Sequence, residues 1–288
     1  MTLLQHFFSA LTLGGFYVTF ALGLTIIYSI LKIVHLAHAT TFLIAAYFTY
    51  FFHVNLGFDL PVAIVISILL SGAIGMIIGF MYQPLVKKGE FAMTLLLSLA
   101  VYLASVEAFY LGFGTRHLTY PIAYNLLAIE IAGSKVFLIQ FLGTISAFVS
   151  IVLLWVYLAK TEEGRVTRAI IQNLEFCQAL GINPLKSYAL AFFIGSLLAG
   201  FSGCLTSLYY NDVHPSLPFE PLVIALCILV IGGLGSLAGT IVAGYALAFA
   251  ETFALAYIPL QFPRELVAFA LLLAILLIRP TGLMGGRK

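Results

Sequence analysis

Long apolar runs separated by short polar breaks dominate the chain, and they predict helices that cross a membrane. A first span is expected from about Phe7 to Ile30 and a second from about Leu36 to Phe52. Asp59-Leu60-Pro61 marks a restart. The third span runs from Pro61 to about Tyr82, where Gln83-Pro84 and then Lys87-Lys88-Gly89-Glu90 should break it. A fourth covers about Phe91 to Gly112, a fifth about Val136 to Ala159, and a sixth about Tyr188 to Tyr210. About twenty apolar residues suffice for a helix to cross the hydrocarbon core. The runs do not alternate apolar with polar residues, which argues against a transmembrane barrel.

The stretch from Pro221 to Ile258 is too long for one span. As a helix its thirty-eight residues would extend about 57 Å, against a core of about 30 Å. Ile231-Gly-Gly-Leu-Gly-Ser236 interrupts it, and three glycines in four positions break a helix or let backbones approach closely. Two helical pieces joined at Gly232 to Ser236 are expected, either a re-entrant pair or two passes. The last span covers about Leu266 to Ile278, or starts at Arg264. The fold class is all-α: one polytopic membrane domain over residues 1–288 with eight to nine transmembrane helices, one of them broken at a Gly-rich re-entrant turn.

Two polar segments stand out. Residues 113–135 carry Arg116, His117, Pro121 and Glu130 and suit an external loop or hairpin. Residues 160–186 read KTEEGRVTRAIIQNLEFCQALGINPLK, longer and more ordered than a turn between spans. Acidic residues at its start suit the positive end of a helix dipole. From Val166 to Leu180 the pattern is helical, with Val166, Ala169, Ile170, Leu174, Cys177 and Leu180 or Gly181 on an apolar stripe. Gly181 is a stop residue. Few cations lie on the polar face, which favours a helix facing a protein over one lying on lipid.

Composition agrees with the pattern, at 62% hydrophobic and 8% charged, where a soluble domain carries about 25% charge. The net charge of +2 contains no basic run that would suit nucleic acid. Cys177, Cys204 and Cys227 fit neither a metal-ligand nor a disulfide spacing, so no metal site is expected. The N-terminus lacks a basic region before its apolar stretch and reads as the start of a retained span. Lys87 and Lys88, the cations of residues 160–186, and Arg279, Arg287 and Lys288 all fall on one side if residues 221–258 turn back on themselves. The positive-inside rule then puts the N-terminus outside and the C-terminus in the cytoplasm. No GxxxxGK[ST], HExxH or GxSxG stretch is present, so neither an ATPase site nor a catalytic constellation is expected.

Glu251 lies inside an apolar helix, where an ionisable side chain is a functional candidate by default. A hydrogen bond that locks the Gly-rich turn would explain it equally well. Glu107 lies nearer a span end, within reach of water. For His35 and His38, near Lys32, packing or capping is the simpler role. Gly72, Gly75 and Gly79, with Gly195, Gly200 and Gly203, suit close helix packing. Gly232, Gly233, Gly235 and Ser236 are placed near a translocation path, because non-helical backbone at membrane depth must be buried or line a watery cavity, and Glu251, Glu107 and His35 are path candidates with them.

Glu163-Gly164-Arg165, Arg168-Ala169 and Ala179-Leu180-Gly181-Ile182-Asn183 resemble the cytoplasmic coupling segment of ABC-importer permeases. The closest resemblance is to the branched-chain amino acid permease family, which also includes urea and short-amide permeases. Ile231 to Thr240 resembles that family's Gly-rich segment, and Glu251 sits where the family tends to place a glutamate. Pro280-Thr-Gly-Leu-Met-Gly285 resembles its C-terminal signature. Gly23 to Tyr28 and His35-Leu-Ala-His38 resemble its first-span motif, although Ala39 stands where the family has glycine and His35 where it has asparagine.

The resemblance implies a type II-like importer permease for branched-chain or other small amino acids, or for urea-like amides. A stand-alone secondary transporter or channel is the other reading; it would need intramembrane carboxylates beyond Glu107 and Glu251. Two cytoplasmic ATPase subunits binding ATP and Mg would drive it, and this chain would need no cofactor of its own. A related second permease, an extracytoplasmic substrate-binding protein and membrane lipid complete the implied partners. The carried-over coupling residues are Glu163, Arg165, Arg168, Ala169, Gln172, Gly181 and Asn183, with helix capping a sufficient role for Glu163 and Gly181.

Overall fold

The computed structural model describes residues 3–121, 128–131, 134–259 and 262–285. Arg287 and Lys288, used above for orientation, lie outside them. Eleven helices account for most of these residues: α1 Leu3–Leu31, α2 His38–Tyr50, α3 Leu60–Lys88, α4 Phe91–Phe113, α5 Leu138–Lys160, α6 Glu162–Gln172, α7 Leu174–Ala179, α8 Leu185–Tyr210, α9 Phe219–Gly232, α10 Leu237–Tyr257 and α11 Arg264–Ile278. A π-helical turn, Phe51–Asn55, continues α2. Strands β1 Ala128–Ile131 and β2 Ser134–Phe137 pair antiparallel; β2 runs two residues past the stretch expected to form a loop or hairpin, into the start of the expected fifth span.

Among the described residues six helices are long and apolar enough to cross a membrane: α1, α3, α4, α5, α8 and α10. α2, α9 and α11 are shorter, at 13, 14 and 15 residues. α1 is the axis of the bundle, with 94% of its most apolar window buried, against 17% for α4 and 28% for α5. Small and hydroxyl side chains let its neighbours close in. A Cβ at Gly15 would stand 1.9 Å from the Gly143 carbonyl oxygen of α5, and one at Gly23 2.4 Å from that of Gly195 in α8. Thr25 and Thr240 share a hydrogen bond of 2.8 Å between α1 and α10. Without a hydrophobic drive between helices in lipid, close backbone approach and interhelical hydrogen bonds carry the packing.

The glycines of α3 and α8 serve as expected. Gly75 leaves room for Ser196, Gly79 for Phe192 and Gly72 for Leu197, so the two helices run antiparallel in contact. Pro84 does not end the third span. α3 continues through it to Lys88 and stops at Gly89, which takes the left-handed conformation at φ 72°. Glu90 N–H donates to the Leu85 carbonyl and Gly89 N–H to that of Val86, closing the final turn just after the proline.

The paired residues fix which ends lie together. α1 and α10 are antiparallel, with His6 against Tyr257 at one end and Ser29 donating to the Gly235 carbonyl at the other. α1 and α5 are parallel, through Thr12 with Gln140 and Thr19 with Ser146. One end of the bundle thus gathers Lys32, α6, α7 and the joint between α9 and α10. The other gathers the N-terminus of α1, the end of α8 and the start of α11.

Candidate functional site

The polar segment folds as two helices, not one. Thr161 Oγ1 accepts from Gly164 N–H at 2.9 Å and starts α6. Gly164 is required there, since a Cβ would stand 1.9 Å from the Tyr157 carbonyl oxygen in the last turn of α5. Thr167 then shares a hydrogen bond of 2.9 Å with the Tyr157 hydroxyl. Asn173 breaks the expected continuous helix. Its backbone is extended at φ −156°, ψ 99°, and its side chain caps α7 by accepting from Phe176 N–H. Asparagine competes for backbone groups in this way, so an apolar period alone overlooks the break.

That break rotates α7 and changes which side chains face out. Cys177 is buried, but Leu180, expected on the apolar stripe, is 65% exposed, and Phe176 is 62% exposed. Of the expected coupling residues, Arg165, Arg168, Gln172, Gly181 and Asn183 are exposed, while Glu163 and Ala169 are half-buried. Glu163 pairs with Lys186 at the start of α8 and so braces the segment. Arg165 lies 3.6 Å from Glu162. Leu174, Glu175, Gln178 and Asn183 line a cleft of about 450 Å³ against Gln83 and Lys87 of α3. The apolar stripe does not mark Phe176, and it sets Leu180 among its own positions, although Leu180 also lies in the coupling-like motif. Their four-residue spacing was the available signal, once Asn173 is taken as a cap.

The four residues expected near a path at the Gly-rich joint lie together, but away from the other candidates. Gly232 and Gly233 are buried and abut the C-terminal segment. Leu283 N–H donates to the Ile231 carbonyl at 2.8 Å, and Met284 N–H to that of Gly232 at 3.1 Å. Gly233 has φ 100°, and a Cβ on it would stand 2.4 Å from Gly285 N. Ser236 Oγ accepts from Gly239 N–H and starts α10. Gly235 meets Ser29 in the last turns of α1, so the joint lies level with the end of that helix. Lys32 is beside it, and partial burial pulls its ammonium below the ordinary lysine range.

Glu251 is fifteen residues beyond Ser236, about 22 Å along α10. It is fully buried. The Tyr17 hydroxyl donates toward its two oxygens at 3.1 and 3.0 Å. Arg264 Nε stands 3.4 Å from Glu251 and 3.6 Å from Glu220. A guanidinium N–H of Arg264 also donates to the Tyr210 hydroxyl at 2.5 Å. Five helices, α1, α8, α9, α10 and α11, are therefore tied by one network around a buried carboxylate. Glu107 is exposed on α4 and takes no part in it.

His35 lies in a third place. After Lys32 the chain turns back into the bundle without helical structure, and α2 starts where His38 Nε2 meets the Phe20 carbonyl at 3.1 Å. Phe20 is eleven residues from the end of α1, about 16 Å inward. His35 is fully buried between Tyr82 and Phe192, with ring centroids 5.4 and 5.1 Å away. Neither of its ring nitrogens has a hydrogen-bond partner among the described residues.

Residues 6–278 match the family described as branched-chain amino acid transport system, permease component. Among curated relatives, the permease protein LivH of the high-affinity branched-chain amino acid transport system of Salmonella typhimurium is 28% identical, covering 98% of this chain and 95% of that protein. The corresponding permease BraD of Pseudomonas aeruginosa is also 28% identical over the same shares. A shorter stretch of 85 residues is 34% identical to the permease LivM of Salmonella typhimurium, 29% of this chain and 20% of that one. With a match from the start of α1 to the end of α11, the chain belongs to the branched-chain amino acid transport permease family, as a multi-pass protein of the inner membrane.

Proposed function

We propose that the chain forms one half of the membrane path of an ATP-driven importer of branched-chain amino acids, with α6 and α7 docked on a cytoplasmic ATPase. The match to LivH and BraD along almost the whole chain carries the substrate class. The exposed mix of Phe176, Leu180, Arg165 and Arg168 supports the docking, because a helix pair fits a partner groove through apolar anchors ringed by charge. The N-terminus lies outside and the C-terminus in the cytoplasm, since Lys32, Lys87, Lys88 and the cations of α6 gather at one end. A binding protein delivers substrate to the end that carries Glu220 and Arg264. A related permease of the LivM kind supplies the other half, and two ATPase subunits bind ATP and Mg. Closure of the ATPases moves α6 and α7, and the brace from Glu163 to Lys186 passes that motion to α8.

Reconstitution tests this reading. The chain, its partner permease, the ATPases and the binding protein are placed in proteoliposomes with labelled leucine, isoleucine or valine. Uptake that needs ATP and the binding protein is expected. Uptake by the chain alone, without any ATPase, would overturn it.

A further inference from the structure

We infer that His117, Asp212 and His214 form a binding site for a divalent transition metal of the zinc class, on the end of the bundle opposite α6 and α7. The three side chains come from two segments 95 residues apart. Leu118 and Val213 exchange both backbone hydrogen bonds at 2.9 Å as an isolated antiparallel bridge. That pairing sets His117 directly opposite His214, and alternation along the strand puts Asp212 on the same face as His214. The register alone therefore converges two imidazoles and one carboxylate.

The side-chain geometry agrees. His117 Nδ1 lies 3.0 and 2.8 Å from the two Asp212 carboxylate oxygens. His214 Nε2 lies 3.9 Å from Asp212 Oδ2. One ligand atom from each residue can be chosen so that all lie within 4.8 Å of one another. Zinc takes histidine nitrogen at about 2.0–2.1 Å and carboxylate oxygen at about 2.0–2.2 Å, so neighbouring ligands in a tetrahedral set stand about 3.3 Å apart. The two separations from Asp212, 2.8 and 3.9 Å, bracket that value, and all three ligand atoms lie within 4.8 Å, so modest side-chain shifts would admit the ion.

The base beneath the site is fixed. Asn211 ends α8 in the left-handed conformation and accepts from Tyr120 N–H at 3.2 Å. The Tyr110 hydroxyl shares a hydrogen bond of 2.9 Å with Ser216. Side-chain exposures of 64% for His117, 30% for Asp212 and 24% for His214 leave a fourth position open to water or to a partner's side chain. A bound ion would clamp the segment after α4 to the loop after α8. The sequence offered no sign of it, because neither segment alone holds a ligand motif.

The competing account is a plain histidine–aspartate ion pair. The full chain, purified in detergent through a tag without histidine, is dialysed against zinc chloride and its metal content measured. Cobalt(II) loading is followed in parallel by visible absorption. The inference expects one zinc per chain, a four-coordinate cobalt spectrum, and thermal unfolding raised by zinc and reversed by chelator. His117→Ala/His214→Ala should lose all three. Asp212→Asn keeps a hydrogen bond to His117 and so protects the fold; it should weaken zinc by at least about tenfold. Absence of saturable zinc in the wild-type chain would overturn the site. Unchanged affinity in Asp212→Asn or in the double variant would do the same.

Discussion

At the end that carries α6 and α7, most polar side chains face outward, held by the caps at Thr161 and Asn173, by Thr167 with Tyr157, and by the pairs Arg165 with Glu162 and Glu163 with Lys186. At the opposite end, Glu251, Arg264, Glu220, Tyr17 and Tyr210 face one another between five helices. Both regions are polar interruptions of an apolar chain, but they do opposite work. An outward face adds little to the stability of the isolated bundle, so it is free to be shaped for a partner. An inward network built on the fully buried Glu251 leaves that charge without compensation when Arg264 is lost, so it holds the helices in one arrangement. Substitutions should separate the two: stability follows the inward network and coupling follows the outward face.

Arg264→Ala should have the largest effect on stability, because it leaves Glu251 buried without its cation. A loss of about 3–5 kcal/mol is expected for a broken buried pair, read from thermal unfolding in detergent. Adding Glu251→Gln should recover part of it, as a double-mutant cycle will show; a double-variant loss equal to the sum of the two single losses would mean that the pair is not coupled. Tyr17→Phe removes the hydroxyl that donates to the carboxylate and should cost about 1.5–3 kcal/mol. Gly233→Ala meets both a positive φ and a backbone atom of Gly285, and about 1–3 kcal/mol is expected. Hydrogen exchange should rise in residues 279–285 in that variant. Phe176→Asp should change stability by less than about 0.5 kcal/mol, being an exposed substitution. It should nonetheless weaken capture of the ATPase by about thirtyfold, the size of a 2 kcal/mol anchor.

Much of this contrast can be traced in the sequence. The break at Gly232 to Ser236 was legible because glycine composition and span length point to the same place. Glu251 was legible as an ionisable residue in an apolar helix, but its partners were not. Tyr17 lies 234 positions away, and Arg264 sits at a span end where a cation looks like ordinary flanking charge. The turn after Lys32 was legible as the gap between the spans expected to end at Ile30 and start at Leu36, but the return of this segment deep into the bundle was not. His35, Leu36 and Ala37 contain no breaker; Lys32 ends α1 in the left-handed conformation, Leu36 N–H donates to Ser98 Oγ at 3.1 Å, and the His35 ring packs on Tyr82 and Phe192. At α7, a side-chain cap overrides the apolar period, which is why Leu180 leaves the stripe and is exposed.

The assignment of the outward face is tested most directly by ATP-driven uptake of labelled leucine in proteoliposomes that hold the whole importer. Wild type is compared with Phe176→Asp and with Arg168→Glu, each first matched for thermal unfolding of the permease alone. Uptake should fall steeply in both variants while the unfolding temperature stays at the wild-type value. Wild-type uptake in both variants would contradict the account, because α6 and α7 would then not be where ATP hydrolysis reaches the membrane helices.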